Sequence, residues 1–230
     1  MKEMLCNSTF LGVMISILTY ELGRLLKKKF KLAIFNPVLI SIISVILLLL
    51  FFDVDYTSYN ESAKYLSYLL TPATVCLAIP LYEQLELLRE NAKAIIIGLV
   101  SGVITSLVCV LVLSLLFHLD HQAYVTLLPK SITTAIGMGV SEEMGGMVTI
   151  TVAVIIITGV LGNMIAESIC KIFRIEEPIA KGIAIGSSAH AIGTAKALEM
   201  GEIEGAMSSL SIVVAGLLTV IGASIFSNFI

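Results

Sequence analysis

The sequence predicts an all-α polytopic membrane protein with two broken or re-entrant helix hairpins in an inverted repeat, an architecture of secondary-transporter type. Three observations predict it. Apolar residues make up 57% of the 230 positions and charged residues only 13%, where a soluble domain carries roughly 25% charged residues. Mean hydropathy is +1.01, and one span takes about 20 apolar residues, so the chain has room for about six to eight membrane segments. Finally, the apolar runs are of two kinds, uninterrupted and broken, and the broken ones resemble one another.

Five runs read as ordinary spanning helices: about 4–22, 34–52, 94–117, 147–168 and 206–229. The first has its positive charges after it and no small-residue cleavage site, so it is expected to be a retained helix rather than a signal peptide. Asn36-Pro37 opens the second, where proline is tolerated because its missing N–H would be unpaired anyway. Three segments are apolar but interrupted. Residues 64–82 contain Thr71-Pro72 and Ile79-Pro80. Residues 124–146 contain Pro129-Lys130, Gly137, Gly139, Gly145 and Gly146. Residues 182–205 contain Gly182, Gly186, His190, Gly193, Lys196, Glu199 and Gly201.

The last two align at an offset of 56, Ala135-Ile136-Gly137 on Ala191-Ile192-Gly193 and Glu143-Met144-Gly145 on Glu199-Met200-Gly201. Residues 64–82 join more weakly. The chain therefore divides into a two-helix N-terminal scaffold, 1–62, and a transport core, 63–230, of broken segment plus helix units at 63–120, 124–175 and 182–230. Paired glycine- and proline-broken segments point to a transport site, because non-helical backbone at membrane depth is tolerated only where protein buries it or a cavity hydrates it. The competing reading is close helix packing on glycine; that alone does not bring Lys, His and Glu into the same segments.

Basic residues set the orientation. Five fall in 23–33, Arg89 and Lys93 in 83–93, and Lys171, Arg174 and Lys181 in 169–181. The positive-inside rule puts these loops in the cytoplasm and both termini outside. Parity then requires 124–146 to enter and leave from the outside and 182–205 from the inside, with their tips meeting near the midplane.

Ionisable groups at membrane depth face a cavity or a partner. Lys130 and Lys196 are the basic residues inside broken segments. Lys130 precedes Ser131, Thr133 and Thr134; Lys196 follows Ser187, Ser188, His190 and Thr194. Cation, hydroxyls and the positive end of a half-helix suit a small carboxylate. The alternative is ion pairing with Glu142, Glu143 or Glu199, the last being three residues from Lys196. Asn163 and Glu167, one turn apart on 147–168, face the site or anchor the helix end. Candidates for proton coupling are His190, which titrates near neutrality, and Glu143 and Glu199, whose carboxyls burial would raise; packing, capping or pairing are the other roles open to them. His118, Asp120 and His121 read as a solvated loop.

Cys6, Cys76, Cys109 and Cys170 are widely spaced, so no disulfide, metal site or other cofactor is expected. No basic block with interleaved aromatics suggests nucleic acid. There is no P-loop and no hydrolase or metalloprotease motif, so the chain is not expected to be an enzyme.

The strings LLTPATVCLAIPLY (69–82), LPKSITTAIGMGVSEEMGG (128–146) and GSSAHAIGTAKALEMGEIEGA (186–206) closely resemble the LrgB/CidB family of bacterial membrane proteins. The resemblance covers nearly the whole chain, with Ala191 where the family pattern has glycine after His190. It implies a multi-pass protein of the bacterial cytoplasmic membrane, in contact with lipid and dimeric. It also implies two functions. One is an antiholin-like subunit that binds a holin-like membrane partner of the LrgA/CidA type and modulates murein hydrolase activity and autolysis. The other is transport, because a plastid glycolate/glycerate translocator and bacterial pyruvate-uptake pairs resemble it. Residues and resemblance together lead to the expectation of a secondary transporter or facilitator of small 2-oxo or 2-hydroxy monocarboxylates, possible proton coupling included, working by elevator-like alternating access.

Overall fold

The computed structural model describes residues 10–30 and 35–230. Contacts divide the chain into two compact units, Met1–Cys76 and Leu77–Ile230, so residues 63–76 pack with the first. Among the described residues every regular element is helical.

In the first unit, α1 is Leu11–Phe30, α2 Pro37–Phe51, α3 Tyr56–Ala63 and α4 Leu70–Cys76, with a 3-10 turn at Lys64–Leu69. Small and hydroxylated residues bring the helices together. The Gly12 N–H donates to Ser62 Oγ at 3.0 Å, Ser16 Oγ pairs with the Tyr59 hydroxyl at 2.7 Å, and Thr19 Oγ1 with Ser41 Oγ at 2.9 Å. Such pairs satisfy polar groups that lipid cannot. Asn36 Oδ1 caps α2 by accepting from the N–H groups of Val38 and Leu39. Asp55 caps α3, and the Thr57 hydroxyl and N–H hold its carboxyl below the usual carboxylate range.

This unit corrects two expectations. α1 does not stop near 22; it runs to Phe30, so Arg24, Lys27, Lys28 and Lys29 lie on its last turns, not in a loop. Residues 4–9 lie outside the described residues. α2 has 15 residues, about 22 Å of helix, which is short of a hydrocarbon core of about 30 Å.

In the second unit, α5 is Ala78–Glu83, α6 Leu85–Glu90, α7 Ala92–Leu116, α8 His121–Leu127, α9 Thr134–Glu143, α10 Val148–Ile172, α11 Pro178–Met200 and α12 Glu202–Phe226. α7, α10 and α12 each have 25 residues, about 37 Å, enough to cross a bilayer. Their outward faces expose Ile97, Ile104, Val112, Ile157, Val213 and Leu217, as lipid-facing surfaces do. The protein is an all-α polytopic membrane protein.

Between these spans lie two hairpins. In the first, α8 and α9 are antiparallel around a turn at 128–133. Thr126 Oγ1 accepts from the Met147 N–H at 2.8 Å, and Gln122 Nε2 reaches the Gly145 carbonyl at 3.5 Å, so both ends share one base. Seven and ten residues are too few for either arm to cross.

The second hairpin is α11 itself. His190 interrupts it with φ 41° and ψ −142°, outside helical space. Before the break, Gly182 lies against Glu204 and Met207, and Gly186 against Ser208 and Ser211: the arm 178–189 runs parallel to α12. After it, Thr194 Oγ1 meets Ser208 Oγ at 2.8 Å and Leu198 lies against Gly205: the arm 191–200 runs antiparallel. The chain therefore reverses at His190. The hairpin starts four residues before the expected 182 and ends at Met200; 202–205 already belong to α12.

α10 fixes the relation of the hairpins. Near its start, Thr151 Oγ1 donates to Thr126 and Ser141 at the first base; near its end, Glu167 pairs with Lys196 by the second base. The hairpins therefore enter from opposite ends. α7 repeats the pattern: Gly102 adjoins Ser187 near the second tip, and one turn on, Ser106 Oγ meets Ser131 Oγ of the first at 3.2 Å. α6 and the start of α7 pack beside the second base through Leu88 and Ile95. Arg89, Lys93, Lys171, Arg174 and Lys181 thus share one end, and no Lys or Arg occurs in 117–123, 142–150 or 226–230 at the other. The positive-inside rule makes the second base cytoplasmic.

Candidate functional site

The two tips meet against the middle of α10, where small residues admit them. A Cβ on Gly159 would come 2.6 Å from His190 Cε1, and one on Gly162 would strike the Ala189 side chain. Buried His190 is held there by a hydrogen bond between Nε2 and the Ile155 carbonyl, 3.0 Å long. Asn163 Nδ2 donates to the Ile192 carbonyl at 2.7 Å, anchoring the second arm just past the break.

Beside this junction lies a cavity of about 430 Å³, lined by Lys130 on one side and by α10 and the first arm of α11 on the other: Thr158, Leu161, Gly162, Ile165, Ala166, Ile169 and Cys170, then Ala184, Ile185 and Ser188, with Ile175 at the α10–α11 loop. Cys170 and Ile175 also line a second cavity of about 520 Å³ at the base of the second hairpin, which carries Lys171, Arg174, Lys181 and Lys196 beside Glu167, Glu176, Glu199 and Glu204. The aliphatic lining of the first cavity follows α10 from Thr158 to Cys170, with Leu161 and Ile165 about half exposed on the helix's outer side.

The two lysines differ. Lys130 Nζ donates to Ser131 Oγ at 2.9 Å, and among the described residues no carboxylate lies within ion-pair distance of it. Lys196 lies near the base, not the tip, 3.1 Å from Glu167 and 3.4 Å from Glu199. The pairing available to Lys196 in sequence is thus the one present, with Glu167 as a second partner.

The other candidates separate similarly. Ser131 and Ser188 belong to the tip region; Ser188 Oγ donates to the Ala184 carbonyl at 2.6 Å. Ser187 is buried and donates to Ile183 O at 2.7 Å. Thr194 is buried between His190 O and Ser208. Thr133 precedes α9 and Thr134 begins it, and neither lines the cavity. Glu143 and Glu199 are exposed at the two bases rather than buried at the tips. Sequence reasoning missed Thr158, Gly159 and Gly162, whose signal is their small size at helical spacing on an otherwise bulky span, and Glu204, buried 3.9 Å from Lys181.

Comparison with known proteins agrees with this architecture only at the level of family. No solved structure matches the chain significantly. The chain is 36% identical over 222 residues, 96% of each chain, to the antiholin-like protein LrgB of Bacillus mycoides (strain KBAB4). It is 35% identical over the same length and share to the proteins of that name from Bacillus cereus (strain B4264) and Bacillus anthracis (strain CDC 684 / NRRL 3495). That name bears on the antiholin-like expectation and says nothing of a carboxylate. Residues 16–229 match the LrgB-like family, and with these relatives the match makes the chain a member of it.

Proposed function

We propose that this chain is a non-enzymatic carrier of small 2-oxo or 2-hydroxy monocarboxylates in the bacterial cytoplasmic membrane. One observation carries the reading: among the described residues no carboxylate lies within ion-pair distance of Lys130, which lines a cavity beside the tips of opposed hairpins. An ionisable group at membrane depth costs several kcal/mol unless something neutralises it. A bound carboxylate does so. Ser131, Thr158 and Ser188 flank the position, and the second arms starting at 134 and 191 bring the positive ends of two half-helices towards it.

In this mechanism the anion enters past Lys171, Arg174 and Lys181, sheds water along the aliphatic walls and pairs with Lys130. Release to the other side requires the hairpins to shift. The Lys196–Glu167 pair joins the second arm of α11 to α10 and has to break or follow that shift.

A second reading comes from the relatives, and their name favours it over the carrier: an antiholin-like subunit that binds a holin-like membrane partner and controls a pore. It needs a lateral surface rather than a cavity. Homodimerisation is compatible with both.

Purified protein in sealed liposomes separates them. Labelled pyruvate, lactate, glycolate and glycerate are offered with and without an inward proton gradient, beside an entrapped inert dye. Saturable uptake of an acid with the dye retained is the expected result, and the gradient's effect decides coupling. Dye loss without selectivity identifies a pore. Flux only after a holin-like partner is added identifies the regulatory subunit.

A further inference from the structure

The walls around Lys130 say what kind of acid fits. We infer that the monocarboxylate taken by this site carries a short aliphatic body, as a branched-chain 2-oxo acid does, rather than the hydroxyls of glycerate. The inference rests on the carrier reading and narrows it.

Among the described residues Lys130 is the only charged one lining the 430 Å³ cavity. A single cation neutralises one carboxylate, and a second acidic group would sit uncompensated among apolar walls. Two hydroxyls line it, Thr158 and Ser188, and the proton of Ser188 is already given to the Ala184 carbonyl, so polar partners are few. Leu161, Ile165, Ala166, Ile169, Ile175 and Ile185 make up most of the remaining surface. A substrate hydroxyl directed at them gives up its water for no partner, whereas a methyl group gains by the same transfer. The aliphatic lining continues along α10 beyond the reach of a three-carbon acid held at Lys130, and a longer branched chain covers more of it.

The test is equilibrium binding to the purified full chain in lipid nanodiscs, measured by calorimetry. The probes are pyruvate, glycerate, ketoisocaproate and the uncharged isocaproamide. Each buried methylene is worth roughly a three- to fourfold gain in affinity. Ketoisocaproate, three carbons longer than pyruvate, is therefore expected to bind at least about tenfold tighter, with glycerate weaker than pyruvate and Lys130→Gln abolishing binding of all three acids. Glycerate binding as tightly as ketoisocaproate overturns the inference. So does isocaproamide matching the acid, because the cavity is then only an apolar groove. Lys130-dependent binding of pyruvate with no gain from the longer chain sinks the inference and leaves the carrier site standing. No Lys130-dependent binding of any acid removes both.

Discussion

The two hairpins are related by sequence and opposed in space, yet they treat their lysines in opposite ways. The repeat places Glu143 on Glu199 and Gly137 on Gly193, and these fall on corresponding second arms. The lysines do not correspond. Lys130 belongs to the turn of the first hairpin, Lys196 to the second arm of the other. Among the described residues only the latter has acids in reach, Glu167 and Glu199. A charge at the base can be paired by side chains that lie near water; a charge at the tip is surrounded by aliphatic walls. The tip lysine is therefore where a ligand changes the electrostatic balance most.

The hairpins also turn differently. The first reverses through six residues, 128–133, and the second at the single residue His190. The second needs tighter support, which Gly182 and Gly186 provide by letting it lie on the backbone of α12.

The sharpest break of the comparison is topological and all-or-none. In a background lacking the four native cysteines, cysteines at 120 and 146 are expected to label from one side and cysteines at 176 and 202 from the other. Labelling of 120 and 146 from opposite sides would refute the opposed hairpins.

Packing comes next. A Cβ at Gly186 meets the Ser208 carbonyl, whereas one at Gly139 meets nothing within 4 Å. Gly186→Ala is expected to lower stability by about 2 kcal/mol, since backbone cannot yield as a side-chain end can. Gly139→Ala is expected to raise it by about 0.5–1 kcal/mol through helix propensity. Unfolding in detergent checks both, and equal effects would mean the arms are packed alike.

His190→Ala keeps the unfavourable φ and removes the bond to Ile155 O, whose helical partner remains; a loss of about 1 kcal/mol is expected in the same assay. Smallest is Glu167→Gln. Its carboxylate side chain is 47% exposed, so solvent discounts the pair with Lys196 to about 1 kcal/mol or less. A larger loss would show the base to be drier than the geometry implies.

How much of this was legible in the sequence depends on the range of the forces involved. The runs 94–117, 147–168 and 206–229 gave α7, α10 and α12 to within a few residues, because hydropathy is a local property. The hairpins followed from the internal repeat and from counting basic loops. What was not legible is what distant segments supply. Glu167 reaches Lys196 across 29 positions of sequence. Leu161, Ile165 and Ile169 look like any lipid-facing residues, and it is the first arm of α11, set beside them by the fold, that makes these still exposed side chains one wall of a cavity. The end of α1 was misplaced for a different reason: a basic cluster marks the membrane surface, and a helix can continue through it to Phe30.

The central claim is that Lys130, not Lys196, holds the substrate. Pyruvate uptake into dye-loaded proteoliposomes is to be compared for the native chain, Lys130→Gln and Lys196→Gln, each first shown to be folded. Removing one partner of a buried charge pair costs about 3 kcal/mol or more. The account predicts that Lys130→Gln loses at least about a hundredfold in uptake efficiency, while Lys196→Gln stays within about tenfold of the native chain. Equal uptake by the native chain and Lys130→Gln would contradict it.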